Sequence, residues 1–119
     1  MDEIERVNPI RFTVNRTGET YELDFNRDTL RVMDRDEFKV SEVSDYPSTM
    51  VPKLFYYSFR MHHRKMSLDQ TNKILENELH GLTPKFLQRL ILLYNQAATA
   101  NNIQDEEDLE KNSNVTVEW

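Results

Sequence analysis

Cysteine is absent from this 119-residue chain, which excludes disulfide staples, thiolate nucleophiles and thiolate metal ligands together. Glycine is almost absent. Gly18 and Gly81 are the only two, too few to build a phosphate-cradling loop. Histidine is scarce as well. His62 and His63 are adjacent, so on a helix they point about 100° apart and cannot act as an i, i+4 metal-binding pair. His80 falls near an expected helix C-terminus, where a cation complements the dipole. No serine stands in a nucleophile-elbow context. The acids are dispersed on polar faces rather than paired beside apolar residues that would raise a pKa. No catalytic, cofactor-binding or metal-binding residue is therefore expected, and the chain reads as non-enzymatic. Long hydrophobic runs are also missing. The longest, Leu90 to Tyr94, is far short of a membrane span, and the acidic start Met1 to Glu5 lacks the apolar core of a secretory signal. The expectation is a protein of a reducing compartment with no membrane association.

Charge is plentiful but unevenly placed. Charged residues make up 30% of the chain against 38% hydrophobic, and the net charge is -6. Residues 53–89 carry +4 while the remainder carries -10. Such a split can serve solubility alone, and it also suits head-to-tail contact between copies, positive patch to negative.

Periodicity divides the chain. Ile10-Arg11-Phe12-Thr13-Val14 and Tyr21-Glu22-Leu23-Asp24-Phe25 alternate apolar and polar residues around the turn segment Asn15 to Glu19, which predicts a β-hairpin with one apolar face. A lone hairpin is barely stable in water, so that face must pack on the helices that follow. Asn26 is placed to cap a short helix over Arg27 to Asp36. Residues 38–43 are ambiguous, with an extended conformation open. Ser48 or Thr49 is expected to cap a helix reaching about Arg64, with Pro52 in its first turn. Ser67 and Gln70 have capping-box spacing for a helix that stops at Gly81. Thr83-Pro84 then opens a last helix to about Ala100. The predicted class is α+β: an N-terminal β-hairpin packed on a mostly α-helical domain of about four helices (1–100), followed by a flexible acidic C-terminal tail (101–119).

The last helix holds more apolar surface than one face needs. Phe86, Leu87, Leu90, Ile91, Tyr94, Ala97 and Ala98 share a stripe, whereas Leu92 and Leu93 fall beside it. Such a helix either runs through the core or covers a partner. In the tail, Val115-Thr116-Val117-Glu118-Trp119 alternates again: either a frayed terminus or a peptide able to add as a strand to a sheet edge. A helix-turn-helix over 67–94 is weighed as a nucleic-acid reader. Its second helix is the most apolar in the chain, and the acidic total opposes phosphate attraction.

The order of these elements is similar to that of the tail assembly chaperones of long-tailed phages and prophages of Gram-positive bacteria. The hairpin is followed by Asp36-Glu37-Phe38 closing a short helix, then Leu54-Phe55-Tyr56-Tyr57 leading to His62-His63. Ser67-Leu68-Asp69 opens the next helix, and Leu92-Leu93-Tyr94-Asn95-Gln96-Ala97 lies in an apolar last one. The resemblance covers residues 8–100 and leaves the tail outside. It implies a non-structural protein of the host cytoplasm that binds and solubilises the tape measure protein and helps recruit the major tail tube protein. It also implies a homo-oligomer, possibly an open spiral, with no nucleic-acid partner. The candidate partner-binding residues are Phe55, Tyr56, Tyr57, Leu90, Leu92 and Leu93. A DNA-binding regulator and a structural tail or capsid subunit stand as alternatives.

Overall fold

The computed structural model describes residues 6–102 and has the α+β architecture. β1 (Ile10–Val14) and β2 (Glu19–Leu23) pair antiparallel, with Ile10 opposite Leu23 and Phe12 opposite Tyr21. Gly18 closes the turn at φ 75°, and the Val14 carbonyl accepts from the Thr17 and Gly18 amides. The second strand stops two residues earlier than its alternation predicts. The Asp24 amide leaves the ladder to donate to the Ser58 carbonyl at 3.0 Å, and the Asp24 carboxylate accepts from the Phe25 amide at 2.8 Å.

α1 (Arg27–Arg35) begins as its sequence predicts. The Asn26 side chain accepts from both the amide and the hydroxyl of Thr29. The helix ends in a Schellman motif: the Phe38 amide donates to the Met33 carbonyl, and the Glu37 amide to the Asp34 carbonyl. Phe38 and Met33 are both buried, supplying the apolar contact that accompanies this cap. Glu37 takes the left-handed position at φ 60°. The ambiguous stretch that follows contains a single 3₁₀ turn, Val40–Glu42, rather than an extended segment.

α2 (Pro47–Phe59) corrects two expectations. It starts at Pro47, which itself serves as the first-turn proline, so Pro52 lies inside the helix and not in its opening turn. It ends at Phe59 rather than near Arg64, where regular helix gives way to turns: the Arg60 amide donates to the Tyr57 carbonyl, and the His62 and His63 amides share the Phe59 carbonyl. These turns set His63 against β2, where its Nε2 accepts the Glu22 amide at 3.0 Å.

α3 (Leu68–Lys73) carries the predicted capping box, with Ser67 Oγ accepting from the Gln70 amide and Gln70 Oε1 from the Ser67 amide. It continues as π-helical turns over Ile74–Leu79 and stops where His80 and Gly81 both adopt positive φ. α4 (Pro84–Asn102) is the longest element, about 28 Å. Thr83 Oγ1 accepts from the Phe86 amide at its start.

The hairpin's apolar face packs on α2 and α4. The Phe12 ring lies 6.2–6.3 Å from those of Phe55, Phe59 and Phe86, and Tyr21 lies 5.4 Å from Phe59. Offset and edge-on aromatic pairs at these distances add to the stabilisation from area burial alone. Leu23, Met33, Leu54, Phe55, Leu90 and Leu93 are fully buried in one continuous core. The Gln96 side chain pins the strand leading into β1, accepting from the Val7 amide and donating to its carbonyl. The acidic tail and the alternating residues 115–119 lie outside the described residues.

Candidate partner-binding groove

The six candidate partner-binding residues separate by burial. Phe55, Leu90 and Leu93 are 0% exposed and Tyr57 is 6% exposed. Phe55, Leu90 and Leu93 are core residues and present no surface to a partner in this fold, and Tyr57 shows only the small part that lines a groove. Leu90, Leu93 and Ala97 follow the i, i+3, i+7 spacing of one buried stripe, so the apolar excess of α4 is largely absorbed inside. Leu92 is the residue that escapes, at 44% exposed. It sits on a strip shared with exposed Gln88, Arg89 and Asn95, and an isolated leucine in polar surroundings is ordinary surface.

Tyr56 is different, because it is half-buried in a groove. The groove runs between the end of α1, the middle of α2 and the start of α3. It encloses about 320 Å³ and is lined by Phe38, Met50, Tyr56, Tyr57 and Leu68, with Asp36, Glu37 and Lys53 at its edge. Leu68 is 40% exposed there. The reason is its position as the first residue of α3, ahead of the turn that meets the core.

Tyr57 forms the inner wall of this groove. Its hydroxyl donates to Asp36 Oδ2 at 2.8 Å, tying α2 to the end of α1. Burial, reinforced by that acceptor, pushes the phenol pKa well above its ordinary value, so it remains a donor at any physiological pH. The Tyr56 ring lies 5.2 Å from that of Tyr57 at an angle of 55°. Glu37, at φ 60°, is a non-glycine residue in the left-handed region at the rim. Such strain persists only where the surroundings impose it, and here the Schellman cap does so.

His62 and His63 occupy a separate cluster at the end of β2. His62 Nε2 lies 3.0 Å from Glu22 Oε2, and His63 Nε2 is an acceptor for the Glu22 amide. Burial pushes the His63 pKa down, and the neighbouring His62 adds to the effect. Burial pushes the Asp24 carboxyl up, while burial and a hydrogen bond to Glu19 raise Tyr21 to about 12. Among the described residues no group of three or more acidic or histidine side chains is arranged to hold a metal, and no helix is long and apolar enough to cross a membrane.

Sequence reasoning missed Phe38, Met50 and Leu68 as groove residues. Phe38 follows a helix end, Met50 lies in the first turn of α2, and Leu68 opens α3, so no single helical stripe contains them. The groove exists only once three separate segments meet.

No curated protein and no solved structure matches the chain. Residues 4–119 match the family described as Domain of unknown function (DUF5055), and the chain belongs to that family.

Proposed function

We propose that this protein is a binding protein without catalytic activity, acting as a phage tail assembly chaperone in the host cytoplasm. Its partner is the tape measure protein, which it keeps soluble, and it helps recruit the major tail tube protein as a homo-oligomer. The observation that carries this reading is the groove around Tyr56: apolar on its floor, charged on its rim, and open to solvent on a chain of net charge -6. A tape measure is a long helix-rich chain whose apolar side chains aggregate if left bare until the tube forms. An apolar trough with charged edges suits one face of an amphipathic helix, with anchor side chains entering the groove. Its size favours a weak, displaceable contact over a permanent one, as handover to tube subunits requires. The order of elements along the chain, similar to that of tail assembly chaperones, supports the same reading.

The test is co-expression with the tape measure protein of the same phage or prophage. Wild-type protein raises the soluble fraction of the tape measure, and the double variant Tyr56→Ala/Leu68→Asp abolishes that gain. Both side chains are partly exposed, and an aspartate in the first turn of α3 is favourable to the helix dipole, so the fold survives the double change. A tape measure that stays insoluble with the wild-type protein, or equal rescue by the double variant, overturns the proposal. So does recovery of this protein from purified virions in stoichiometric amounts, which identifies a structural subunit.

A further inference from the structure

The two-stranded sheet has one edge in use and one open. On β2, the amides of Glu22 and Asp24 point away from β1 and are taken by His63 Nε2 and the Ser58 carbonyl. By the alternation of an antiparallel pair, Tyr21 and Leu23 then face β1, and their partners Phe12 and Ile10 face β2. The amides and carbonyls of Arg11 and Thr13 are left on the outer side of β1, and no described residue pairs with them. These groups repeat at strand spacing, which another extended backbone matches.

Beside that edge, where β1 meets the start of α4, lies a second depression of about 290 Å³. Ile10 and Phe86, both half-buried, form its floor, with Pro9 and Thr83 at its walls. Its charged lining residues are Arg11, Lys85 and Arg89, all cationic and all exposed. Lys85 and Arg89 make no ion pair among the described residues. Arg11 meets Glu22 only loosely, at 3.7 Å. A backbone edge, an apolar seat and a positive rim with little compensation therefore lie side by side.

Charge decides the occupant. β1 itself, Ile10-Arg11-Phe12-Thr13-Val14, contains no acid. A second copy added through the same edge would leave both depressions uncompensated, and a cation on an edge strand is a usual guard against such self-pairing. A nucleic acid would satisfy the cations but leave the edge amides and carbonyls unmatched, and the net charge of -6 opposes its approach. An acidic peptide strand answers both the edge and the rim.

We propose that the outer edge of β1 and the cationic depression beside it dock an extended acidic segment of a partner protein, which adds as a third strand with an apolar side chain seated on Ile10 and Phe86. Main-chain hydrogen bonds to Arg11 and Thr13 hold the strand, and the depression selects the side chain. Carboxylates flanking that side chain meet Arg11, Lys85 and Arg89. The site shares no lining residue with the groove at Tyr56, and it stands independently of the function proposed for that groove.

The experiment uses the full chain, isotope-labelled for NMR, and a blocked synthetic peptide, Glu-Asp-Val-Phe-Val-Asp-Glu, as the probe. Titration across the millimolar range shifts the Arg11 and Thr13 amides and slows their exchange with solvent, while Leu93 is unmoved. Added salt weakens the binding. Two altered peptides separate the contributions without touching the protein. Replacing the acids by lysine abolishes the shifts. N-methylation at alternate residues removes the strand donors on one side only, so one of the two alternations abolishes binding and the other retains it. On the protein side, Lys85→Glu/Arg89→Glu weakens binding about tenfold, the order given by two exposed ion pairs lost. Both side chains are exposed and glutamate is a good helix former, so the fold survives. Four results overturn the proposal. One is the absence of shifts at Arg11 and Thr13 with the acidic peptide. Another is equal binding of the lysine peptide, or of both N-methylated ones. The third is unchanged affinity in the double variant. The last is a duplex oligonucleotide that shifts the same amides more strongly than the peptide, which assigns the rim to phosphate.

Discussion

Leu92 and Leu93 are neighbours in sequence on one helix, and their substitution separates a core role from a surface role with the chemistry held constant. Leu93 is 0% exposed within the core cluster, whereas Leu92 is 44% exposed. Leu93→Ala removes buried methyl groups and leaves a cavity that the aromatic cluster closes only in part, a loss of about 2–5 kcal/mol. Leu92→Ala removes atoms that are already half in water and leaves no cavity, so the change stays within about 1 kcal/mol. Alanine is the better helix former, so neither substitution weakens α4 itself. For a domain of this size each kcal/mol shifts Tm by about 4–8 °C, which places the Leu93→Ala midpoint on the order of 10–20 °C below the Leu92→Ala one. Urea unfolding followed by far-ultraviolet circular dichroism measures the difference, with equal m-values confirming that the denatured state is unchanged. Equal losses from the two variants, or a larger loss from Leu92→Ala, refute the orientation of α4. They would also return Leu93 to the set of partner-facing residues.

Two further outcomes follow from particular residues. Glu37→Gly places glycine where φ is 60° and raises stability by about 1 kcal/mol in the same urea assay; a loss instead shows that the glutamate side chain stabilises the groove rim. His63 has its pKa held below the ordinary 6.5 by burial, so the unfolded chain takes up the proton first. Its contribution is full above about pH 6.5 and is lost as pH falls below that value. His63→Gln keeps an acceptor for the Glu22 amide and titrates nothing, so its midpoint falls less than that of wild type between pH 7 and pH 5. Parallel pH profiles contradict the assignment.

Local signals were readable wherever a side chain bonds its own neighbourhood. Asn26 and Ser67 cap the helices they precede, and Thr83 does the same for α4. The hairpin was legible from alternation, because a one-residue slip would carry Tyr21 to the face opposite Phe12 and Val14. The losses came where a distant residue decides. α2 ends at Phe59, and just beyond it His63 accepts the Glu22 amide, forty-one residues away in sequence, a contact that nothing near Arg60 announces. The π-helical turns at Ile74–Leu79 have no cue in composition. Within Phe55-Tyr56-Tyr57 every residue is aromatic, so hydropathy has no phase there. Only the packed structure shows that Phe55 and Tyr57 turn inward and Tyr56 does not.

The burial of four candidate residues changes how a small chain of this kind can hold a partner. Had Leu90, Leu92 and Leu93 all faced outward, a broad apolar face would have invited aggregation of the chain itself. Placing Leu90 and Leu93 in the core makes α4 the element on which the hairpin and α1 are assembled, and leaves binding to places where segments meet. The groove at Tyr56 draws on the end of α1, the body of α2 and the first residue of α3. The open edge of β1 lies beside the first turns of α4. The two surfaces share no lining residue, so a substitution in one leaves the other's contacts in place. In the proposed chaperone role, a small and partly charged surface makes each contact weak, and strength comes from repetition along an array of copies. In that role weak individual contacts also allow orderly release, since loss of a few sharply lowers the avidity that held the rest.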